Sequence, residues 1–191
     1  MIKEAVGSVR LALSNLPICT FLILLLNALS FNLVDQISWS VAGADIFNPL
    51  HWYKLLTSMY AHGSFQHIVG NLMFAFPFLT LAEYNFGSIR LFLYYNFCGI
   101  IASIFGCFAY FKAEHILGSS GAIAALIPLL FFVKHKSMSM LLFCFGFVGM
   151  MFLKEMYGTM NMFSSIGHWV HLGGMIVSPY AYILFLQRKQ P

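Results

Sequence analysis

Six long apolar segments constrain this chain more than any other feature of its sequence. Most of them approach the ~20 residues that a helix needs to cross a hydrocarbon core of ~30 Å. With 60% hydrophobic and only 8% charged residues, the chain cannot bury its apolar surface inside one soluble domain. We therefore predict an all-α polytopic membrane protein, a single domain of six transmembrane helices over residues 1–191. The predicted segments are Leu16–Val34, Phe65–Ala82, Leu91–Phe111, Gly121–Val133, Met138–Leu153 and Ile166–Leu186.

The basic residues are distributed unevenly between the two sides of this predicted bundle. Cytoplasmic loops carry the excess of lysine and arginine in membrane proteins, so both termini are predicted to be cytoplasmic, which requires an even number of spans. A cleaved signal peptide is the alternative for the first segment, but the apolar run continues to Val34 and favours an uncleaved helix. Seven basic residues lie on the side of the termini (Lys3, Arg10, Arg90, Lys134, Lys136, Arg188 and Lys189) and three on the opposite side (Lys54, Lys112 and Lys154).

The fourth segment is too short to cross the membrane. Its 13 residues, Gly121–Val133, rise only about 20 Å as a helix, against a core of ~30 Å. Because Lys134 and Lys136 fix its cytoplasmic end, the end at Ser120 is predicted to stop inside the membrane. Irregular backbone is tolerated there only where it lines a cavity or is covered by protein. We therefore expect Ser120 below the bilayer surface, beside a cavity that holds water.

The turn before this segment brackets a serine with glycines at Gly118 and Gly121. A helix that begins near Ser120 leaves its first N–H groups without partners, as donors with positive dipole character. Such donors suit an attacking hydroxyl and the oxyanion that it creates. Small residues at this place also serve simply to pack one membrane helix against another, which is the alternative interpretation of the motif.

Polar residues also lie in the second segment. His67 and Asn71 are four residues apart, so they share one face of a helix. Polar side chains at membrane depth normally face a protein interior or a water pocket. The alternative for this pair is a structural role, in which the two side chains bond each other or a neighbouring backbone. His62, nearer the water, is interpreted as a structural histidine.

The sixth segment carries a narrow face of small residues behind a histidine. His171, Gly174 and Ser178 fall at positions i, i+3 and i+7 of a helix. The fourth segment offers a second small face that begins at Gly121. Two small faces of this kind pack closely, and that packing is predicted to bring His171 beside Ser120.

These residues together fit the cleavage of an amide bond, which needs a nucleophile, a base and donors for an oxyanion. Ser120 supplies the nucleophile and His171 the base, while His67 and Asn71 supply donors. No carboxylate lies inside any apolar segment, so the base works in a serine–histidine dyad. The sequence has neither a His-Glu-x-x-His zinc motif nor a pair of intramembrane aspartates. His168 and His171 lack a third ligand, and we expect no metal and no cofactor.

The chain resembles the rhomboid family of intramembrane serine proteases over nearly its whole length. The resemblance implies a six-helix rhomboid-like bundle with Ser120 as nucleophile at the top of a short fourth helix and His171 as base. It further implies that His67, Asn71 and the Ser120 N–H form the oxyanion hole, and that the long first loop, Val34–Thr57, is embedded in the membrane. The motifs that carry the resemblance are His62-x4-His67-x3-Asn71, Glu83 to Ser88, Gly118-x-Ser120-Gly121 and His171-x-x-Gly174. The residues expected to support the site are Gly118, Gly121, Gly174 and His62.

The resemblance also implies partners and a location. The expected substrates are single-pass membrane proteins, cut in or beside their transmembrane segment within the lipid bilayer, with no nucleic acid and no metal involved. The compact length is similar to the bacterial six-helix form, which implies the bacterial inner membrane. A non-proteolytic rhomboid-like protein that binds membrane segments, or acts as their chaperone, is the alternative. A transporter is disfavoured, because nothing in the sequence resembles paired broken helices in two related halves.

Three positions depart from the family pattern. Tyr53-Lys54 stands where the first loop usually has Trp-Arg. Ala124 stands where a tyrosine commonly stacks on the catalytic histidine, and we expect Trp169 to help position His171 instead. Ser178 replaces the second glycine of the usual Gly-x-x-x-Gly that follows this histidine.

Overall fold

The computed structural model describes residues 16–112, 115–130, 132 and 167–187. Over these ranges the chain is helical, apart from turns and one isolated antiparallel bridge between Val41 and Ile116. The helices are α1 (Ile18–Leu33), α2 (Gln36–Trp39), α3 (Lys54–Thr57), α4 (Phe65–Phe86), α5 (Ser88–Ala109), α6 (Ser120–Leu129) and α7 (His168–Ala181). Two 3-10 turns, Gly43–Phe47 and Pro49–His51, lie between α2 and α3, and a π-helical turn, Tyr182–Leu186, continues α7.

These helices confirm the predicted all-α membrane class. Five of the six predicted apolar segments fall on α1, α4, α5, α6 and α7. Within the described ranges, Phe65–Phe86, Ser88–Ala109 and Trp169–Leu186 are long and apolar enough to cross a membrane. The fifth predicted segment, Met138–Leu153, lies outside the described residues. So do several basic residues on which the predicted orientation depends: Lys3, Arg10, Lys134, Lys136, Lys154, Arg188 and Lys189.

Helix α6 begins at Ser120, as predicted, and is shorter than its apolar run. It ends at Leu129 after 10 residues, so it rises only about 15 Å, half the thickness of a hydrocarbon core. Pro128 lies in its last turn, where it has no N–H to donate to the preceding turn. The early end of α6 is consistent with this missing hydrogen bond.

The start of α1 is capped by a carboxylate from another helix. Pro17, which precedes α1, makes no side-chain capping bond. Instead, the buried Glu83 on α4 accepts hydrogen bonds from the backbone N–H groups of Cys19 at 2.7 Å and Thr20 at 2.8 Å. The hydroxyls of Thr20 and Ser88 donate to the same carboxylate. Because a helix start carries unpaired N–H groups and positive dipole character, Glu83 joins α1 to α4 and to the first turn of α5.

The loop between α1 and α4 is held by a second carboxylate, Asp45. It accepts hydrogen bonds from the Ala42 N–H at 3.0 Å, His51 Nδ1 at 2.6 Å and Lys54 Nζ at 3.3 Å. Burial acts to raise the pKa of Asp45, but these bonds and the charge of Lys54 together lower it below its ordinary 3.8. Lys54 is one of the departures from the family pattern, and here it anchors the loop through Asp45.

Helices α6 and α7 meet through glycines, as the small faces in the sequence predict. A β-carbon at Gly174 would overlap the carbonyl oxygen of Gly121 and would lie 3.4 Å from the Ala125 nitrogen. A β-carbon at Gly121 would lie 2.8 Å from Val170 Cγ1. The two backbones therefore approach more closely than any larger residue at these positions allows.

A buried tyrosine of α5 connects the same two helices. The Tyr94 hydroxyl lies 2.6 Å from the Ala125 carbonyl oxygen of α6 and 2.7 Å from the Ser178 Oγ of α7. The tyrosine and Ser178 are both fully buried, so their polar groups need these partners. Ser178, another departure from the family pattern, thus keeps the small size needed for packing and adds a hydrogen bond between helices.

Candidate active site

The turn that leads into α6 is fixed by bonds to the first loop. Ile116 pairs with Val41 through two backbone hydrogen bonds of 2.8 and 3.1 Å, and the Gly118 N–H donates to the Ser58 carbonyl at 2.8 Å. Gly118 has φ +118°, a conformation that residues with a β-carbon rarely adopt. A glycine at position 118 therefore lets the chain make this turn without backbone strain.

Of the two adjacent serines in this turn, Ser120 is the more accessible. Ser119 is only 2% exposed, and its Oγ lies 3.4 Å from Nε2 of His62. Ser120, at the start of α6, is partly exposed. Its position at a helix start places it among backbone N–H groups that have no partner within the helix. A nucleophile must be accessible to its substrate, and Ser120 meets this requirement better than Ser119.

His67 and Asn71 of α4 face the turn before Ser120. A β-carbon at Gly118 would lie 2.8 Å from Cε1 and 2.9 Å from Nε2 of His67, and 3.7 Å from Nδ2 of Asn71. The first turn of α4 is capped by Ser64, whose hydroxyl oxygen accepts the His67 N–H at 3.1 Å. The face that His67 and Asn71 share thus lies against Gly118. Both side chains are next to the turn that leads to Ser120.

His171 lies in the part of α7 that packs against the start of α6. Its preceding residue, Val170, contacts Gly121, the residue that follows Ser120. The stretches of backbone that carry Ser120 and His171 are therefore neighbours. The imidazole lies close to Gly167, because a β-carbon at this glycine would be 3.0 Å from Cε1 of His171.

The expectation that Trp169 positions His171 is wrong. Trp169 is 51% exposed and faces outward, as an amphipathic aromatic ring does at the boundary of a membrane. Ala124, which replaces the usual tyrosine, is buried. The approach of Gly167 to the His171 ring is local, since the two residues are four positions apart and therefore share one face of the helix.

His62 is completely buried at the centre of this site. Nδ2 of Asn71 donates to its Nε2 at 2.9 Å, and its ring lies edge to face with that of His67, with 5.1 Å between ring centroids. The pKa of His62 is lowered to about 4, mainly by burial and in addition by the nearby His67, while a hydrogen bond to the Tyr60 carbonyl acts in the opposite direction. His62 is therefore neutral near pH 7.

Sequence reasoning missed the residues that hold His62 in place. Its backbone N–H donates to Oε1 of Gln36 at 2.7 Å, and the Gln36 amide also donates to Ser30 and Val34 carbonyls at the end of α1. Gln36 and His62 are 26 positions apart in the chain, and no helical spacing relates them. Only the path of the loop brings them together.

Comparison with known proteins identifies related chains. Residues 49–188 match the family model described as Rhomboid domain. "Rhomboid-like protein 11, chloroplastic" of Arabidopsis thaliana is 30% identical over 83 residues, which cover 44% of this chain and 30% of that protein. "Putative rhomboid protease YdcA" of Bacillus subtilis (strain 168) is 28% identical over 150 residues, or 73% of this chain and 70% of that protein. The match to the chloroplast relative thus spans less than a third of its length.

Proposed function

Since the chain belongs to the rhomboid family, we propose that it is an intramembrane serine endopeptidase with Ser120 as nucleophile and His171 as base. The observation that carries the proposal is the contact of Gly121 with Val170 and Gly174, because it makes the backbones next to Ser120 and His171 neighbours. A serine hydroxyl is a weak nucleophile until a positioned base takes its proton.

The proposed reaction proceeds through an acyl-enzyme. Ser120 Oγ attacks the scissile carbonyl carbon while His171 takes the hydroxyl proton, and the carbonyl oxygen becomes an oxyanion. His171 then gives the proton to the leaving amine as the peptide bond breaks. His171 then takes a proton from a water molecule as its oxygen attacks the acyl carbon; the ester bond to Ser120 Oγ breaks, the carboxylic acid product leaves, and His171 returns the proton to Oγ. No carboxylate lies in any predicted apolar segment, so we propose a dyad without an acidic third member.

Three groups are proposed as donors to the oxyanion: His67, Asn71 and the Ser120 N–H. The proposal is supported by the approach of His67 and Asn71 to Gly118 and by the position of Ser120 at a helix start. Donors that are fixed before the reaction stabilise developing charge at no further cost in reorganisation.

The location and substrates are part of the same proposal. We infer a single six-helix domain in a bacterial inner membrane, with both termini cytoplasmic. Single-pass membrane proteins would reach Ser120 below the bilayer surface. This depth is supported by the length of α6, whose 10 residues cover about half of a hydrocarbon core.

A serine-directed fluorophosphonate tests the proposal without knowledge of a substrate. The purified protein is expected to form an adduct at Ser120, mapped by mass spectrometry, that is lost in Ser120→Ala and greatly reduced in His171→Ala. Ser103→Ala, which changes a buried serine on α5, is the matched control and should keep the label. If the wild type stays unlabelled in detergent and in lipid while a functional rhomboid protease reacts alongside, the non-proteolytic binding protein becomes the better interpretation.

A further inference from the structure

His62 contacts several parts of the candidate site, although the reaction above assigns it no role. Its Nε2 lies 2.9 Å from Asn71 Nδ2 and 3.4 Å from Ser119 Oγ, next to the proposed nucleophile. Its ring packs edge to face on His67. One side chain therefore touches both proposed side-chain oxyanion donors and the turn that carries Ser120.

The direction of the hydrogen bonds at His62 is fixed by a backbone carbonyl. Nδ1 of His62 lies 3.3 Å from the Tyr60 carbonyl oxygen, which can only accept. A neutral imidazole has one N–H and one acceptor nitrogen, so Nδ1 carries the proton and Nε2 accepts. Nε2 must then receive an N–H from the Asn71 amide rather than face its oxygen.

The direction of the bond between Asn71 and His62 matters because the Asn71 amide can adopt two orientations, which exchange its NH2 group and its oxygen. With its NH2 group held by Nε2, Asn71 keeps a second N–H available, on the side where Nδ2 approaches Gly118. If the amide were reversed, its carbonyl oxygen would take the place of a donor, and an acceptor there repels an oxyanion. The amide needs a partner that specifies its orientation.

We propose that His62 is a positioning residue that fixes the orientation of the Asn71 amide as an oxyanion donor through its Nε2 acceptor. The inference rests on the proposed function, since it explains how one donor to the oxyanion of that reaction is oriented. His62 touches no reacting atom and acts through Asn71. Its own position is secured by the Gln36 bond to its backbone N–H, which joins the end of α1 to the site.

Kinetics of a model membrane substrate test this role through variants of His62. His62→Leu removes the acceptor, and kcat should fall about 100-fold with little change in KM, the cost typical of a misplaced catalytic group. His62→Gln can present its amide oxygen near the position of Nε2 and should restore most of kcat. His62→Asn reaches only the position of Nδ1 and should not. Thr20→Val, which removes a buried bond to Glu83 at the other end of the molecule, controls for lost stability.

A double-mutant cycle separates positioning from support of the fold. If His62 acts through Asn71, then His62→Leu should lower kcat by no more than about threefold in the Asn71→Ala background, because the two residues act as a unit. The full loss in that background, or a His62→Gln variant as slow as His62→Leu, would overturn the proposal. Thermal unfolding of each variant shows which ones are folded. If His62→Leu does not fold, the comparison of kcat between His62→Gln and His62→Asn tests the proposal instead.

A measurement without turnover keeps this inference distinct from the proposed function. Nitrogen-15 NMR of labelled imidazoles in the purified protein should show His62 neutral, with a protonated Nδ1 and an unprotonated Nε2. A protonated Nε2 would overturn the inference even in an active enzyme. An inactive wild type with the expected tautomer would instead count against the proteolytic function, and the positioning role would fall with it.

Discussion

Gly118 is a residue that tolerates no side chain for two separate reasons. Its φ of +118° strains any residue with a β-carbon, and that carbon would lie 2.8 Å from the His67 ring. We predict that Gly118→Ala lowers the free energy of unfolding by ~1–3 kcal/mol and also displaces His67, so that fluorophosphonate labelling of Ser120 slows.

The matched control for this change is Gly70→Ala on α4. Nothing lies within 4 Å of a β-carbon at Gly70, and alanine is preferred over glycine inside a helix by ~0.5–1 kcal/mol. Gly70→Ala should therefore leave labelling unchanged and raise the unfolding temperature slightly. Equal labelling rates for Gly118→Ala and Gly70→Ala would contradict the close approach to His67.

The residues of the site could be predicted where the signal is local. His67 and Asn71 were predictable because four positions in a helix define one face. The partners of His62 were not, since Gln36 and Ser119 are 26 and 57 positions away from it and their contacts depend on how the first loop runs. Trp169 was assigned wrongly because residues two positions apart on a helix do not face each other, so the ring at Trp169 and the imidazole of His171 lie on different sides of α7.

At the scale of elements, Glu83 links three helices through one carboxylate. Glu83→Gln keeps the shape but removes the charge that faces the start of α1, and one amide NH2 then meets donors rather than acceptors. We predict a loss of ~1–3 kcal/mol in the free energy of unfolding, as expected for hydrogen bonds to a charged group. Thr20→Val should cost less, because only one of the bonds is lost. Equal stability of Glu83→Gln and the wild type, measured by thermal unfolding in detergent, would exclude the capping role.

The hydrogen bonds that Asp45 accepts in the loop between α1 and α4 predict that stability depends on pH. Because the folded-state pKa of Asp45 lies below its ordinary 3.8, the charged form stabilises the loop above that value, and this contribution is lost as the pH falls through the folded pKa. Asp45→Asn should therefore unfold at a lower temperature than the wild type near neutral pH, and the difference should shrink below about pH 4. Asp35→Asn, an exposed cap of α2, is the control. If the difference in unfolding temperature between Asp45→Asn and the wild type did not change with pH, the charged form of Asp45 would not be what stabilises the loop.

The elements themselves were predicted to different degrees. The start of α6 at Ser120 follows from the glycine-bracketed motif and from the shortness of the apolar run. The 3-10 turns of the first loop could not be predicted, since they lack a helical period and depend on the side-chain bonds of Asp45 and Asn48. The capping of α1 by Glu83 joins residues more than 60 positions apart, which no local pattern reports.

At the scale of the whole molecule, the helical class followed from the apolar composition together with the length of the apolar runs, because runs near ~20 residues cross a membrane as helices whose backbone hydrogen bonds are satisfied internally. The close packing of α6 on α7 also followed from sequence, through the small residues Gly121 and Gly174. The orientation in the membrane stays a prediction. It depends on the uneven distribution of lysine and arginine.

Cysteine accessibility tests that orientation across α4. Ala44 precedes α4 and Ile89 follows it, and both are exposed, so a cysteine at either position is open to a maleimide reagent that cannot cross membranes. Cys19, Cys98 and Cys107 are buried, and replacing Cys144 by alanine removes the remaining thiol. With the termini cytoplasmic, Ala44→Cys should be labelled from outside intact spheroplasts, and Ile89→Cys only after permeabilisation. The reverse pattern would invert the predicted orientation, and labelling of both from one side would exclude α4 as a membrane span.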